Sequence, residues 1–484
     1  MTSREWLALA AIGLPALTAA LVWLAPRRAT VVVAYAGAGA TAVASTALAT
    51  VALHGSQAPF TDRWLVVDAA GGLLVGVIGV VGLASVLASP AYLDGAVSSL
   101  VAAGRRDRTY FAVLFAFWAI LLAVPLAATI GGAWILVEAT TAASALLVGF
   151  SGAGRALEAA WKYLCLTSLG LGVALLGIVL LGAGVPGGGL GGLSWSGLST
   201  YSGGRESALA AYLLLMAGLA AKIGWAPVHN WLPDAHSEAP PPVSALLSAA
   251  LLPAVLLVAW RSEQSLAPVI GLRTAQNVLI AFGLASVAVA IPFLWRSLPW
   301  KRLLAYSSLE HMGVIALGIG FGTPLALAGV AVHIAGHAVA KALGFYAATP
   351  LLVHEPRAAA HAARGIVRTQ PELGATMGIS LAALAGLPPS PLLLSEVLIA
   401  AGGFQSGRPW AAGAAVLLLS LGFLGLAHAL LEVTGGAGRA RTHVRTRRLQ
   451  AFAGVATLLL GALVGAAIWL PGSDVVAALL RGVS

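Results

Sequence analysis

Residues 225–242 read WAPVHNWLPDAHSEAPPP and lie between two strongly apolar runs. The stretch carries two histidines, an aspartate, a glutamate and five prolines, an unusual content for so hydrophobic a chain. Prolines that interrupt an apolar helix beside ionisable groups are typical of transport proteins, in which freed carbonyls and helix ends hold water or ions. The stretch therefore predicts a broken membrane helix in a polar neighbourhood.

The whole chain has the composition of a polytopic membrane protein. Of its 484 residues, 59% are hydrophobic and 9% are charged, and the mean hydropathy is +0.93. Soluble domains usually have about 25% charged residues. The single cysteine, Cys165, excludes a disulfide framework or a cysteine cluster for a metal within this chain. The formal charge of +10 is spread over short loops, which indicates membrane topology and not nucleic-acid binding.

Apolar runs of about 20 residues predict fourteen membrane-spanning helices, which we number as spans 1 to 14. The predicted spans are 5–25, 30–53, 66–90, 109–129, 131–150, 159–183, 206–236, 241–260, 270–294, 302–321, 324–351, 374–401, 409–433 and 450–470. Of the lysines and arginines assigned to loops, seventeen fall on one side and seven on the other. This bias predicts that both termini lie on the external side of the membrane. We expect that membrane to be the cytoplasmic membrane of a bacterium or archaeon.

The order of the spans also predicts an internal repeat. Spans 4–8 (109–262) and spans 9–13 (263–433) form two five-span units, and their odd number of crossings implies inverted orientation. A three-span segment, 1–108, precedes them, and residues 434–484 follow with span 14 and a tail. Pro227 in span 7 and Pro388 and Pro389 in span 12 predict that both of these helices are broken. The Gly-rich segment 183–204 is expected to be a flexible external connection.

Ionisable groups inside the spans are the main candidates for function, because a charge at the bilayer centre costs roughly 2.5 to 3.5 kcal/mol. The candidate proton-relay residues are Glu138, Lys222, Glu310, His311, His333, His337, Lys341 and Glu396. For Glu138 the alternative is a hydrogen bond that serves helix packing. For Lys162, which lies about one turn into span 6, a relay role and a role as surface anchor remain equally open.

Three of these residues form a stripe on span 11. His333, His337 and Lys341 follow one another at four-residue intervals and therefore share one helix face. Such a stripe suits a water-linked proton relay, because neutral imidazole both donates and accepts hydrogen bonds. The alternatives are inert buried histidines and a haem or zinc site. Because no further ligand set is evident, the sequence predicts no metal site.

The opening stretch supplies a second set of polar residues. We expect His229, Asp234, His236 and Glu238 to line a polar vestibule at the cytoplasmic end of span 7. The alternative is an ordinary interfacial loop. The three prolines at 240–242 are then expected to begin span 8, since proline is tolerated in a first helical turn.

Four stretches carry a family resemblance: WILVEATTAASALLVGF, AKIGWAPVHNWLPDAHSEAPPPVSALLSA, KRLLAYSSLEHMGVIALGIGFG and AGLPPSPLLLSE. They resemble the proton-conducting antiporter-like subunits of respiratory complex I, Mrp-type sodium/proton antiporters and group 4 membrane-bound hydrogenases, and are most similar to hydrogenase-4 component F. The resemblance implies that Glu138 and Lys222 match the family's span 5 glutamate and span 7 lysine, and that Glu396 ends the relay. Many members carry a span 8 lysine where this chain has Pro253.

The resemblance implies a proton-translocating membrane subunit of a complex I-like or hydrogenase-4-like redox complex. Its partners would be other membrane subunits and a peripheral redox module, with Fe-S, Ni-Fe or flavin groups only in those partners. No cofactor, no catalytic residue and no redox chemistry are expected in this chain. The alternatives are a subunit of an Mrp-type sodium/proton antiporter or of an energised inorganic-carbon uptake system, and a structural membrane subunit.

Overall fold

The computed structural model describes residues 3–54, 60–61, 63–96, 103–185, 193–354, 364–435 and 447–481. It confirms the prediction of an all-α polytopic membrane protein. Within these residues, thirteen helices are long and apolar enough to cross a bilayer. Their helical bounds, in chain order, are Ser3–Leu24, Thr30–His54, Ala69–Ala96, Ala103–Ala123, Ile130–Val148, Gly154–Gly184, Arg205–Ile223, Pro241–Ile270, Leu272–Leu294, Trp300–Phe321, Pro324–Tyr346, Pro409–Gly435 and Arg447–Trp469. They correspond to spans 1 to 11, 13 and 14.

Span 12, the remaining predicted span, is not among these thirteen helices because it is divided into two shorter ones. The first helix is Pro371–Leu384 and the second is Pro391–Gln405. Between them Gly386 has φ +70°, a left-handed conformation that ends the first helix and that glycine adopts without strain. Ser390 then caps the second helix by accepting a hydrogen bond from the Leu392 amide.

Span 7 is also broken, as predicted, but earlier than the sequence indicated. Its helix ends at Ile223, and Gly224 follows with φ +79°. Residues 225–231 have no regular helix, and a short helix, Leu232–Glu238, follows. The break therefore begins before Pro227, because the left-handed glycine ends the helix before the first proline is reached.

Span 8 begins at Pro241, as the three prolines predicted, and contains a π-helical turn. Its α-helical parts, Pro241–Leu246 and Leu252–Ile270, flank the turn Leu247–Leu251. Pro253 has no amide hydrogen and its ring crowds the carbonyl four residues earlier, so a widened turn is a natural accommodation. The most apolar 18 residues of span 8 and of span 10 are all buried, whereas in spans 13 and 14 the corresponding shares are 28% and 22%. Spans 8 and 10 therefore form the axis of the protein.

The remaining elements are short. Strands β1 (Phe60–Thr61) and β2 (Val66–Val67) pair antiparallel before span 3. The other short helices are Val124–Leu126, Gly149–Ser151, Trp195–Leu198, Ala348–His354, Ile366–Thr369, Leu470–Gly472 and Asp474–Arg481. Trp195 is buried and donates its indole N–H to the Ala127 carbonyl at 2.8 Å. The part of segment 183–204 that holds this residue is thus packed, and its predicted flexibility is wrong there; residues 186–192 lie outside the described residues.

Two basic residues that the charge count assigned to loops are buried within helices. Arg261 in span 8 is 1% exposed and pairs with Asp68 at 2.9 Å. Lys301 lies in the first turn of span 10 and is 6% exposed. Four others in that count, Arg357, Arg439, Arg441 and Arg445, lie outside the described residues. The orientation of the chain in the membrane therefore remains a prediction.

Candidate functional site

Lys222 stands at the end of the first helix of span 7 and is fully buried. Its Nζ donates hydrogen bonds to Thr141 Oγ1 at 2.7 Å and to the Tyr163 hydroxyl at 2.5 Å. The Tyr163 hydroxyl also bonds Ser144 Oγ at 2.7 Å. The amine is thus held by uncharged hydroxyl groups from spans 5 and 6, each of which can both donate and accept. Together, Lys222 and these three hydroxyl residues form what we call the lysine cluster.

Glu138 lies near this cluster but does not pair directly with Lys222. The carboxylate is half-buried, and its Oε1 accepts a hydrogen bond from Ser168 at 2.6 Å. Its Oε2 is buried and has no partner among the described residues. Thr141, three residues after Glu138, instead makes the contact from span 5 to Lys222. A direct Glu138–Lys222 ion pair is therefore not present in this conformation.

A second polar cluster lies between spans 10, 11 and 12. His311 Nδ1 and His333 Nε2 are 3.0 Å apart, and His333 Nδ1 lies 2.8 Å from Ser395 Oγ. Ser395 donates its own hydroxyl hydrogen to the Leu392 carbonyl at 2.7 Å. Ser395 must therefore accept from His333 Nδ1–H, and His333 Nε2 in turn accepts from His311 Nδ1–H. The protonation of both rings follows from this chain of donors.

Three further candidate relay residues, His337, Lys341 and Glu310, lie next to the two rings. We call His311, His333 and these three residues the histidine cluster. The ring centres of His337 and His311 are 5.2 Å apart, and both His337 nitrogens are buried without a partner in the described residues. Lys341 Nζ donates to the Leu304 carbonyl at 2.6 Å. Glu310 is buried against Gly422 of span 13, where a Cβ would overlap Glu310 Oε1.

Glu396 completes the histidine cluster from span 12. It is half-buried, and a carboxylate oxygen lies within 4.8 Å of a ring nitrogen of His311 and of His333. The break of span 12 is close to the carboxylate, since a Cβ on Gly386 would stand 3.3 Å from Glu396 Oε2. Glu396, His311 and His333 are also the described residues whose atoms could together hold a metal ion.

Two serines link spans 8 and 10 on the axis of the protein. Ser248, in the π-helical turn, and Ser308 have their hydroxyl oxygens 2.7 Å apart, and both residues are fully buried. Pro253 does not take part, because it faces an apolar cavity with Leu73 and Ile334. The place at which the family resemblance suggested a missing lysine is therefore apolar here, and the serines supply the polar contact.

The predicted vestibule residues divide between two environments. Asp234 and Glu238 line a cavity of about 250 Å³ together with Lys162 and Arg302. Asp234 lies 3.6 Å from Lys162 and 3.3 Å from Arg302, and Lys162 is about half-exposed and bonds Glu158 at 2.6 Å. This contact set favours the anchor interpretation of Lys162 over the relay interpretation.

The two histidines of the vestibule prediction lie elsewhere. His236 is fully buried and stacks on Phe345 with ring centres 5.3 Å apart. Burial and the ammonium groups of Lys341 and Lys301 lower the pKa of His236 to about 3, so the ring is neutral at physiological pH. His229 is half-buried in the break of span 7, and burial lowers its pKa as well.

Sequence reasoning missed Lys301 and the hydroxyl partners of Lys222. Lys301 donates to the Ser237 carbonyl at 2.8 Å and to the Ala239 carbonyl, so its ammonium binds the end of the short helix after the break. Positive charge is favourable at a helix C-terminus. For Tyr163 and Thr141 the signal was weak: they stand next to Lys162 and three residues after Glu138, respectively.

Among the described residues, the arrangement joins buried amines, imidazoles, carboxyls and hydroxyls. In the serine–histidine contact between Ser395 and His333, the serine accepts the hydrogen bond and gives its own hydrogen to the Leu392 carbonyl. Hydroxyl and neutral imidazole groups can each accept a proton at one point and release one at another, which suits proton passage. Both clusters lie beside a broken helix, where backbone groups not used by the helix can bind water. The site geometry thus suits charge movement within the membrane.

Residues 127–422, more than half of the chain, match the family model described as NADH:quinone oxidoreductase/Mrp antiporter, TM. A hydrogenase-4 component F homolog from Methylacidiphilum infernorum (isolate V4) is 32% identical over 316 residues. That alignment covers 64% of this chain and 66% of the relative, which is just under two thirds of the relative's length.

Two solved structures share the fold over nearly the whole chain. A chain of the membrane-bound sulfane sulfur reductase, an archaeal respiratory membrane complex, superposes with a TM-score of 0.86 at 18% identity, covering 99% of this chain and 98% of that one. A chain of the Mrp complex from Dietzia sp. DQ12-45-1b superposes with a TM-score of 0.82 at 20% identity, covering 100% of both. At these identities the likeness shows the fold alone.

Proposed function

This chain belongs to the NADH:quinone oxidoreductase/Mrp antiporter membrane family, and we propose that it translocates protons as one membrane subunit of a redox-driven complex. The observation that carries the proposal is Lys222, a fully buried lysine at a broken helix whose partners are all uncharged hydroxyls. Burying a lysine within the membrane costs free energy, and ionisable groups within membrane spans mark ion pathways by default. The amine can lose its proton without leaving an unpaired carboxylate behind.

The two clusters define the proposed route. A proton held on Lys222 passes through the lysine cluster toward the paired hydroxyls of Ser248 and Ser308 on the axis. The histidine cluster receives it, and Glu396, beside the break of span 12, releases it from the chain. Water in the helix breaks bridges gaps that exceed hydrogen-bond length.

Glu138 is the proposed control element. Thr141, which bonds Lys222, lies about one helical turn after Glu138, so the charge on the unpartnered Oε2 of Glu138 favours the ammonium form of Lys222. If a charge change in a neighbouring subunit moves the Glu138 carboxylate away from the lysine cluster, Lys222 releases its proton. When the carboxylate returns, Lys222 takes up a new proton from the cytoplasmic side. Electrostatic control of this kind needs no redox group in the chain.

We further propose that 109–262 and 263–433 are inverted repeats, between segment 1–108 and residues 434–484. Two features support this division. Spans 7 and 12 are both broken, and the packing of span 6 along span 7 has its counterpart in that of span 11 along span 12. With both termini outside, as the positive-inside bias predicts, the cavity lined by Asp234 would open to the cytoplasm of a bacterium or archaeon.

The relatives support a multisubunit setting. One is named as a homolog of hydrogenase-4 component F, and one structural neighbour comes from an archaeal respiratory membrane complex. We propose that Fe-S, Ni-Fe or flavin groups reside in a peripheral module bound through other membrane subunits. Copurification of the tagged chain from native membranes in mild detergent, followed by metal and flavin analysis, tests this: a stable complex with none of these groups would contradict it.

The decisive experiment replaces Lys222 with Met, which keeps most of the length of the side chain and removes the amine. Proton uptake by vesicles that contain the intact complex should fall to background, while subunit composition stays unchanged. Lys162→Met is the matched control, because that lysine is half-exposed at the cavity, and uptake should remain close to wild type. Normal uptake by Lys222→Met would refute the proposal.

The same vesicles separate protons from sodium. A redox-driven proton pump should work equally well in sodium-free buffer. Loss of proton movement without sodium, in the absence of any electron donor, would instead identify a sodium/proton antiporter subunit. Loss of the assembled complex in both lysine variants would point to a structural subunit.

A further inference from the structure

We propose that His311, His333 and Glu396 form a binding site for a divalent transition-metal ion of the zinc class, and that the bound ion blocks proton movement. The block rests on the proposed function, whereas the site itself does not. From the sequence, the metal alternative concerned His333 and His337, for which no further ligand was evident. The fold instead brings His333 together with His311 and a carboxylate from span 12, so that one ligand atom from each residue lies within 4.8 Å of the others.

The ligand set and its spacing suit zinc. Two histidines and one carboxylate, with the fourth position left to water, form a common zinc environment, with bonds of about 2.0 to 2.2 Å. Two nitrogens bound to one tetrahedral zinc ion lie roughly 3.3 Å apart at such bond lengths. The facing nitrogens of His311 and His333 are 3.0 Å apart, so only a small separation of the rings is needed.

The hydrogen bonds around His333 prepare it as a ligand. Ser395 accepts from His333 Nδ1–H, because its own hydroxyl hydrogen is used on the Leu392 carbonyl. This leaves the lone pair of His333 Nε2 directed at His311. Metal-bound histidines usually donate their other ring N–H in this way, which fixes the tautomer and the ring orientation.

His311 can supply the second nitrogen through a change of tautomer. Its Nδ1–H now points at His333 Nε2, and its Nε2 is buried without a partner in the described part of the chain. A metal ion bound between the rings takes the place of the Nδ1 hydrogen, and the proton moves to Nε2. The change of tautomer involves no oxidation or reduction and no net loss of protons, and a proton carried by Glu396 is released to solvent when its carboxylate binds the ion.

Glu396 supplies negative charge to the site and lies where an ion can enter it. Its carboxylate neutralises part of the dication, and it is half-buried beside the interrupted segment of span 12, whereas His311 and His333 are almost fully buried. An ion held there occupies ring nitrogens and a carboxylate oxygen that the proposed route uses. Bound metal and proton passage are therefore mutually exclusive.

The test uses the full chain in lipid nanodiscs, with Zn²⁺ for stoichiometry and affinity and Co²⁺ as a spectroscopic probe. Wild type should bind one ion per chain and give the visible absorption of tetrahedral Co²⁺. Glu396→Gln, which is isosteric, should lose both signals while keeping its elution profile. Wild-type affinity in that variant, or no stoichiometric Zn²⁺ on the wild type, would overturn the site.

A second variant leaves all three ligands in place. Ser395→Ala removes only the acceptor of His333 Nδ1–H and should weaken Zn²⁺ binding about 10- to 100-fold. His428→Gln is the control, since that histidine lies at the far end of span 13 near Glu432 and should not alter binding. Unchanged affinity in Ser395→Ala would show that the hydrogen bond to Ser395 does not orient His333 for metal binding, and would refute the assigned tautomers.

Proton flux in proteoliposomes tests the block. Zn²⁺ should inhibit wild-type flux, and Ser395→Ala should need about 10- to 100-fold more Zn²⁺ for half inhibition. Stoichiometric binding without any proton flux in wild type would sink the proposed function and leave the site intact. Flux that saturating Zn²⁺ does not reduce would sink the block.

Discussion

The Nζ atom of Lys222 lies 2.5 Å from the hydroxyl oxygen of Tyr163 and 4.6 Å from the centre of the same ring. Tyr163 therefore contacts the amine through both its polar group and its aromatic ring. The hydroxyl continues to Ser144 at 2.7 Å, so the ring of span 6 connects the lysine of span 7 to span 5. The tyrosine is the most direct partner of the proposed proton carrier.

The first prediction concerns the hydroxyl alone. Tyr163→Phe keeps the ring and should lower proton uptake about 10- to 100-fold, because a hydrogen bond to a charged group contributes roughly 1.5 to 3 kcal/mol. Vesicle uptake assays on the assembled complex measure this. Tyr212→Phe is the matched control, because among the described residues its buried hydroxyl donates to a backbone group, the Ala275 carbonyl, at 3.1 Å. Equal uptake in both variants would exclude Tyr163 from the path.

The charged residues of the site could be found from the sequence, but their partners could not. A lysine or glutamate within an apolar span is conspicuous because its desolvation is costly. Serine and threonine are not, since in membrane helices they often bond their own backbone, as Ser144 does with the Thr140 carbonyl at 2.5 Å. Only the fold shows that Ser144 also contacts Tyr163.

The vestibule prediction was partly wrong because the sequence analysis did not predict the short helix after the break of span 7. Four residues were grouped there because they are close in sequence. The short helix Leu232–Glu238 places Asp234 and Glu238 one turn apart on one face and directs His236 to the opposite side. Lys301 was misassigned for a different reason, because a basic residue next to a predicted span boundary is counted as a loop residue.

The second prediction concerns Gly422 in span 13. A Cβ at this position would overlap Glu310 Oε1, so Gly422→Ala should displace the carboxylate and lower proton uptake more than tenfold. Folding should be little affected, because alanine favours a helix by about 0.5 to 1 kcal/mol over glycine. Uptake and thermal stability, measured on the same preparation, test the two statements separately.

Gly413→Ala controls for the helix itself, since a Cβ on that residue of span 13 would meet nothing within 4 Å. A double variant then tests the route of the effect. If Gly422→Ala acts through Glu310, adding Glu310→Gln should reduce uptake no further than Glu310→Gln alone. Additive losses would mean that the alanine disturbs some other contact.

The third prediction concerns the buried pair of Arg261 and Asp68, which joins span 8 to the chain just before span 3. Arg261 Nη2 lies 3.0 and 2.9 Å from the two carboxylate oxygens, and Asp68 Oδ1 also accepts from the Gly71 amide at 2.6 Å. Arg261→Ala leaves a buried carboxylate unpaired, which should destabilise the protein by roughly 3 to 5 kcal/mol. Thermal unfolding of the detergent-purified chain should show this as a large decrease in Tm.

The ion pair of Arg364 and Glu432 is the natural comparison. Its atoms are also 2.9 Å apart, but the arginine is 46% exposed. Arg364→Ala should therefore change stability by only about 0 to 1 kcal/mol. Similar Tm losses in Arg364→Ala and Arg261→Ala would show that burial does not decide the strength of these pairs.

The fourth prediction concerns pH. Burial lowers the pKa of His236 to about 3 in the folded protein, against 6.5 when the residue is free in water. Below pH 6.5 the unfolded chain thus binds a proton that the folded chain does not, so stability decreases as the pH decreases. At about 1.4 kcal/mol per pH unit, this residue should destabilise the protein by roughly 2 kcal/mol at pH 5 relative to pH 7.

His236→Leu should remove this contribution, so the difference in Tm between variant and wild type should grow in favour of the variant from pH 7 to pH 5. The titratable groups that face His236, namely Lys301, Lys341 and His337, are present in both proteins, and their direct contributions largely cancel. His54→Gln, at an exposed histidine, should keep the wild-type slope. Equal slopes for His236→Leu and wild type would mean that the ring of His236 is already protonated or solvated in the folded state, which its burial against Phe345 argues against.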